Sequence, residues 1–144
     1  MLIGEYTHSI DDKKRLSLPS KFRKELGKTI IATRGLDTCL FLYSEKEWRT
    51  HSAKLAELST GTAGSRGFNR FTLAGAAEIS VDSVGRILIP DFLKRFARIT
   101  AKVVLAGVGN RIELWDEKVW QSYMATIEKQ ADTLAEKLGE AGMI

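Results

Sequence analysis

A chain of 144 residues, 44% hydrophobic and 28% charged, has the balance of an ordinary globular protein and room for one domain or two very small ones. Its single cysteine, Cys39, excludes an intrachain disulfide, so a packed core must hold the fold. The net charge of +4 is uneven: residues 1–112 carry 19 Lys and Arg against 11 Asp and Glu, whereas residues 113–144 carry 3 against 7. Either this is ordinary surface charge or the body presents a face to a polyanion that the C-terminal segment does not share. No charged-then-apolar leader opens the sequence and no apolar run has membrane-spanning length, so a cytoplasmic protein is predicted.

In chain order, IGEYTHSID reads as a strand running into SIDDKKRLSLP (residues 9–19), where a tight turn precedes an alternating apolar strand and a proline. A short helical pattern follows, with Ser20 predicted as its N-cap and Gly27 as its stop. The β-type run Thr29–Thr33, the turn Arg34–Thr38 and the run Cys39–Tyr43 come next. Ser44 and Glu47 form a capping box that starts a helix with Trp48, Leu55 and Leu58 on one face. Ser59–Gly67 is small and flexible in composition and reads as a linker, with Phe68, Phe71 and Leu73 in a short helix behind it.

The second half then repeats the first. SVDSVGRILIP (residues 80–90) matches SIDDKKRLSLP: Asp82, Arg86, Ile87, Ile89 and Pro90 stand where Asp11, Arg15, Leu16, Leu18 and Pro19 stood. Asp91 is the predicted N-cap of a helical FLKRFA, followed by a strand Lys102–Leu105, a turn Gly107–Asn110 and the run Arg111–Trp115. Both halves enter a helix through Glu-Lys-x-Trp, at Glu45 and again at Glu117. The last helix starts at Asp116 and carries Trp120, Tyr123, Ile127, Leu134 and Leu138 as an apolar stripe, to be packed within the chain or between subunits. The expected segments are 1–58, 59–73, 74–115 and 116–144. Half a chain is near the limit for an independent core, so two such halves should interleave around a pseudo-twofold axis into one β-rich α+β unit.

The repeated Asp-x-x-x-Arg, apolar-x-apolar-Pro resembles the swapped-hairpin, AbrB-type DNA-binding fold, which is double-psi-related. Two such repeats, with RGFNRFTLAGAAE between them and IELWDEKVW near the end, resemble the MraZ family of bacterial transcriptional regulators. The resemblance implies a repressor that binds sequence-specifically to short direct repeats in promoter DNA. The implied target is the promoter of a division and cell-wall gene cluster that includes the regulator's own gene. It further implies a homo-oligomeric ring associated with the nucleoid, and it leaves open an antitoxin-like interaction protein whose acidic helix binds a protein partner.

The residues themselves suit such a role. Arg15 and Arg86 each follow a turn and open a strand, and arginine can fork onto guanine or phosphate as lysine cannot. Lys13 and Lys14 add two cations to the first turn, so the first repeat is expected to supply more of the affinity. The alternative is structural, with Asp11–Arg15 and Asp82–Arg86 as turn-closing ion pairs of about 0–1 kcal/mol. Asp11, Asp82 and Gly85 are the expected turn formers, and Lys14, at the position of Gly85, should force a tighter or different turn.

Nothing in the sequence suggests catalysis, a cofactor or a small-molecule substrate. His8 and His51 stand apart with no metal-ligand spacing, and Cys39 lies in an apolar run. Gly61–Gly67 superficially resembles a phosphate loop but lacks the Gly-Lys-Ser/Thr that would complete it. Trp48, Trp115 and Trp120 sit on apolar faces and read as packing groups.

Overall fold

The alternation Arg15-Leu16-Ser17 sends one side chain inward, and its counterpart Arg86-Ile87-Leu88 does the same. In the computed structural model, which describes all 144 residues, Leu16 and Ile87 are both buried and lie directly opposite each other. They belong to β2 (Arg15–Ser17) and β6 (Arg86–Leu88), two short antiparallel strands that form a ribbon of their own, one from each repeat.

The remaining strands are β1 (Leu2–Ser9), β3 (Thr29–Arg34), β4 (Leu40–Ser44), β5 (Ala77–Ser80), β7 (Lys102–Gly109) and β8 (Ile112–Asp116). They make one antiparallel sheet in the order β1-β7-β8-β4-β3-β5. The order is symmetric about the central β8–β4 pair, and each repeat lends its first strand to the other: β1 pairs with β7, and β5 pairs with β3. A single cluster of 18 buried residues, from Leu2 to Leu114, draws on both repeats. Neither half therefore has a core of its own, and the two repeats fold as one mixed α+β unit with a mostly antiparallel sheet.

The helices are α1 (Ser20–Leu26), α2 (Glu45–Ala56), α3 (Ala63–Leu73), α4 (Asp91–Phe96) and α5 (Glu117–Glu140). Helix α1 ends at Gly27 (φ 81°), and Ser44 Oγ accepts the Glu47 N–H at 3.2 Å to start α2. The expected caps Ser20 and Asp91 are not caps. Pro19 and Pro90 occupy those positions with ψ of 135° and 141°, and no side chain caps either helix. The Pro19 carbonyl accepts the Phe22 N–H at 2.9 Å, and Asp91 turns instead to Lys94.

Two further expectations are corrected. The compositional linker Ser59–Gly67 is helical from Ala63, because Thr62 Oγ1 accepts the Ser65 N–H at 3.2 Å and caps α3. That helix is fixed to the sheet by Thr33 Oγ1, which donates to the Thr72 carbonyl, and by Arg34 Nη1, which donates to that of Phe71. Gly107 and Val108 belong to β7 rather than to a turn, paired with Gly4 and Ile3. Strand β1 passes so close to Gly107 that a Cβ there would stand 2.6 Å from the Ile3 nitrogen, which only glycine permits.

Cys39, Val104 and Trp115 form a second, small cluster, covered by Trp120 and Tyr123 from the start of α5. Strand alternation puts Trp115 on the opposite sheet face from Ile112 and Leu114. Trp115 packs edge-on to Trp120 with centroids 5.4 Å apart. The α5 stripe packs within the chain only as far as Ile127; beyond it every residue is exposed, including Leu134 and Leu138. No helix is long and apolar enough to cross a membrane.

Candidate nucleic-acid interface

Each Asp-x-x-x-Arg segment builds its turn from the aspartate outward. Asp11 Oδ1 accepts the backbone N–H groups of Lys13 (2.9 Å) and Arg15 (2.8 Å), and Asp11 Oδ2 accepts Arg15 Nε–H at 3.1 Å. Asp82 does the same for Val84 (3.0 Å), Arg86 (2.8 Å) and Arg86 Nε (2.8 Å). The backbone closes identically as well: Lys14 N–H donates to the Asp11 carbonyl and Gly85 N–H to that of Asp82, both at 3.0 Å. Lys14 therefore does not change the turn. It adopts φ 64°, beside φ 84° for Gly85, and the expected different geometry does not occur.

The carboxylate of Asp11 is held below its ordinary pKa, chiefly by the Arg15 backbone N–H and then by the Arg15 side chain. Asp82 is lowered in the same way by Arg86. Each aspartate is thus the charged acceptor around which its turn is organised. The ion pair and a ligand-binding role for arginine are compatible, because each guanidinium gives only Nε to its aspartate. The two terminal nitrogens of Arg15 and of Arg86 have no acceptor in the protein.

The ribbon brings the arginines together. Arg15 lies opposite Leu88 and Arg86 opposite Ser17, so the two arginines are diagonal neighbours with Cα atoms about 7–8 Å apart. With Leu16 and Ile87 inside, Arg15, Ser17, Arg86 and Leu88 share the outer face, where Leu88 is 56% exposed. Arg15, Arg86, Leu88 and Pro90 line one depression of about 290 Å³, together with the carboxylates Glu78 and Asp82. Lys13 and Lys14 are exposed at the tip of the first turn, outside that depression.

Sequence reading missed the cations that flank the tips. The helix of one repeat lies beside the turn of the other: Arg23, Lys24 and Lys28 face Asp82 across a cleft of about 700 Å³. Lys94, Arg95 and Arg98 share a second cleft, of about 540 Å³, with Lys14. The only sequence signal was the basic pattern of the two helices after the prolines, and nothing local places it next to a turn some 70 residues away. No three His, Cys, Asp or Glu side chains converge as metal ligands. Burial raises the Cys39 thiol pKa far above its ordinary value, so Cys39 is a core group rather than a nucleophile.

The same family model, described as "MraZ protein, putative antitoxin-like", matches twice, over residues 1–71 and 72–139. The chain belongs to the MraZ family. Its relatives include proteins named transcriptional regulator MraZ from Caldicellulosiruptor saccharolyticus and Acetivibrio thermocellus, 48% and 46% identical over 143 residues. A third, from Clostridium tetani, is 45% identical over 144 residues. Each alignment covers 99% of this chain and 100% of the relative. The two matched segments are the repeats that exchange β1 and β5 across the sheet.

Proposed function

We propose that this MraZ-family chain is a sequence-specific DNA-binding transcriptional regulator that acts without catalysis. The observation that carries the reading is the pair of arginines on one outward ribbon face, each with two guanidinium nitrogens free. In the proposed mode Arg15 and Arg86 reach base edges or phosphates, while Asp11, Asp82 and Gly85 hold the tips and Lys13 and Lys14 add phosphate contacts. The exchange of β1 and β5 between repeats supports reading the unit as a swapped-hairpin, AbrB-like fold. The targets proposed are short direct repeats in the promoter of a division and cell-wall cluster, with repression as the outcome.

One unit offers few cations, and binding falls by about 0.9 in log K per neutralised phosphate for each tenfold rise in salt. Several units on spaced repeats would gain effective concentration, which is the physical reason to propose a ring of subunits on nucleoid DNA. The second reading, an antitoxin-like partner of another protein, draws on the exposed acidic end of α5, where Glu128, Asp132, Glu136 and Glu140 stand free of the body.

Titration of a duplex taken from immediately upstream of the coding sequence, at two salt concentrations, separates the two. The DNA reading predicts tight, salt-steep binding that Arg15→Ala weakens about fivefold to 150-fold, the scale of one lost arginine–base pairing of about 1–3 kcal/mol. Arg86→Ala should weaken it less, because the first tip holds more cations. Unchanged affinity and salt slope in a folded Arg15→Ala protein would sink this reading.

A further inference from the structure

The two repeats have positive φ at the same two positions but fill them oppositely. The first repeat has Lys14 (φ 64°) in the turn and Gly27 (φ 81°) after the helix; the second has Gly85 (φ 84°) and Arg98 (φ 55°). Glycine adopts such angles without strain, whereas a side chain is strained there. In the turn, then, the second repeat shows that glycine serves the fold where the first carries a cation; after the helix the two paths differ, since Gly27 has ψ −163° and the first repeat lacks the backbone bond that closes the helix around Arg98.

Both cations fall in one cleft. Because the helix of one repeat lies beside the turn of the other, Lys14 and Arg98 line the same cleft, together with Lys94 and Arg95. That cleft has four cations against one carboxylate, Asp91, whose Oδ1 is already paired with Lys94 Nζ at 3.3 Å. Arg95 and Arg98 are exposed, and neither side chain makes a hydrogen bond or ion pair within the chain. Lys94 and Arg95 alone require no ligand, since they lie in the last turn of α4, where cations suit the negative helix end. Arg98 is different. It follows the helix at the position where the Ile99 N–H bonds back to the Lys94 carbonyl at 2.9 Å, a helix stop that glycine normally fills. Strain retained at an exposed cation points to a use outside the fold.

We propose that Lys14, Arg95 and Arg98 form a cradle for the phosphodiester backbone of DNA, beside the tip that carries Arg15. The opposite cleft is not its equal: Arg23 there lies over Gly85, within 2.2 Å of where a Cβ would stand, so its cation is packed against the turn and only Lys24 and Lys28 are left beside it, against Lys14, Arg95 and Arg98 here. The inference rests on the DNA-binding reading and extends it to a helix of the other repeat. It makes the phosphate footprint of each unit one-sided, with more backbone contact flanking the first tip than the second.

Arg98→Gly is the deciding variant, because it removes the charge and suits the backbone; Arg98→Asn is the alternative should that protein fold poorly, as asparagine also tolerates left-handed angles. The duplex from upstream of the coding sequence and a scrambled duplex of equal length are titrated across a salt series. Arg98→Gly is expected to melt at or above the wild-type temperature and to bind both duplexes several-fold more weakly. Its salt slope should shrink by about 0.9 for each subunit in contact. The ratio between the two duplexes should not change, because phosphate contacts carry no sequence information. Wild-type affinity and slope in Arg98→Gly, with binding still lost in Arg15→Ala, would overturn the cradle and leave the DNA reading standing. If Arg15→Ala also binds as wild type, both fall. Calorimetric titration with inorganic phosphate closes the remaining route: binding abolished by Arg98→Gly while DNA affinity is unchanged would assign the cleft to a free anion and overturn the proposal.

Discussion

The two turns are made by the same hydrogen bonds to within a few tenths of an ångström, yet they sit in different surroundings. Gly85 is buried under the Arg23 guanidinium, and its carbonyl accepts the Leu18 N–H at 2.9 Å. Lys14 is exposed, and its carbonyl has no such partner. The difference starts one helix away, at the residue after each proline. Asp91 pairs with the Lys94 ammonium at 3.3 Å, and Lys94 lines the cleft beside the exposed Lys14. Ser20 has no charge to offer Arg23, the counterpart of Lys94, and Arg23 lies over the second turn instead. Local hydrogen bonding thus fixes the turn, while the neighbouring repeat decides whether its fourth residue carries a side chain.

The comparison is tested hardest where the repeats should be indistinguishable. Leu16 is 0% exposed and Ile87 1%, and they face each other across the ribbon. Leu16→Ala and Ile87→Ala should each cost about 2–5 kcal/mol of unfolding free energy, since both empty the same core. Chemical denaturation should also show one cooperative transition in both variants. A large loss in one and little in the other, or two separate transitions, would mean that the repeats fold apart.

A smaller effect should separate the turns. Lys14→Gly relieves a left-handed lysine and is expected to leave stability unchanged or raise it by up to about 1 kcal/mol. Gly85→Lys should instead cost about 1–3 kcal/mol, because backbone strain adds to displacement of Arg23 and loss of its packing. Thermal melts of the two variants measure the contrast. Equal effects would show that Arg23 does not distinguish the tips, and adding Arg23→Ala to Gly85→Lys should recover part of the loss.

These contrasts also explain what could be read from the sequence. The turns were legible because Asp and Arg four residues apart close them locally, and the repeat made that pattern visible twice. Interleaving followed from the small size of each half, although which strands cross over did not. Ser20 and Asp91 have side chains suited to capping, but the proline before each already occupies the cap position. Gly107 was misplaced because glycine signals both a turn and a close backbone approach, and only the path of β1 decides between them. Helix α3 begins earlier than composition suggested, since its glycines are overridden by the Thr62 cap and by anchoring of Phe71 and Thr72 to β3. The basic cleft was invisible for a related reason: Lys14 and Arg98 are 84 positions apart, and positive φ at an arginine leaves no mark in composition.

The finest contrast concerns charge at the tips. Asp11 and Asp82 are both held below 3.8, and for each the largest cause is a backbone N–H, not a neighbouring cation. A carboxylate with a lowered folded pKa contributes stability above its unfolded value of 3.8, and that contribution is lost as pH falls through the folded value. Both turns should therefore stay charged and intact just below pH 3.8 and loosen together on further acidification, despite the two extra lysines beside Asp11. Hydrogen bonds are screened far less by salt than exposed charge pairs are, so added salt should leave most of both shifts in place. Carboxyl-carbon NMR titration of the two aspartates at low and high salt measures this directly. If Asp11 titrated well below Asp82 and rose to meet it in high salt, Lys13 and Lys14 rather than the turn backbone would be setting its charge. The first tip would then be an electrostatic device distinct from the second, not the same turn in a more open setting.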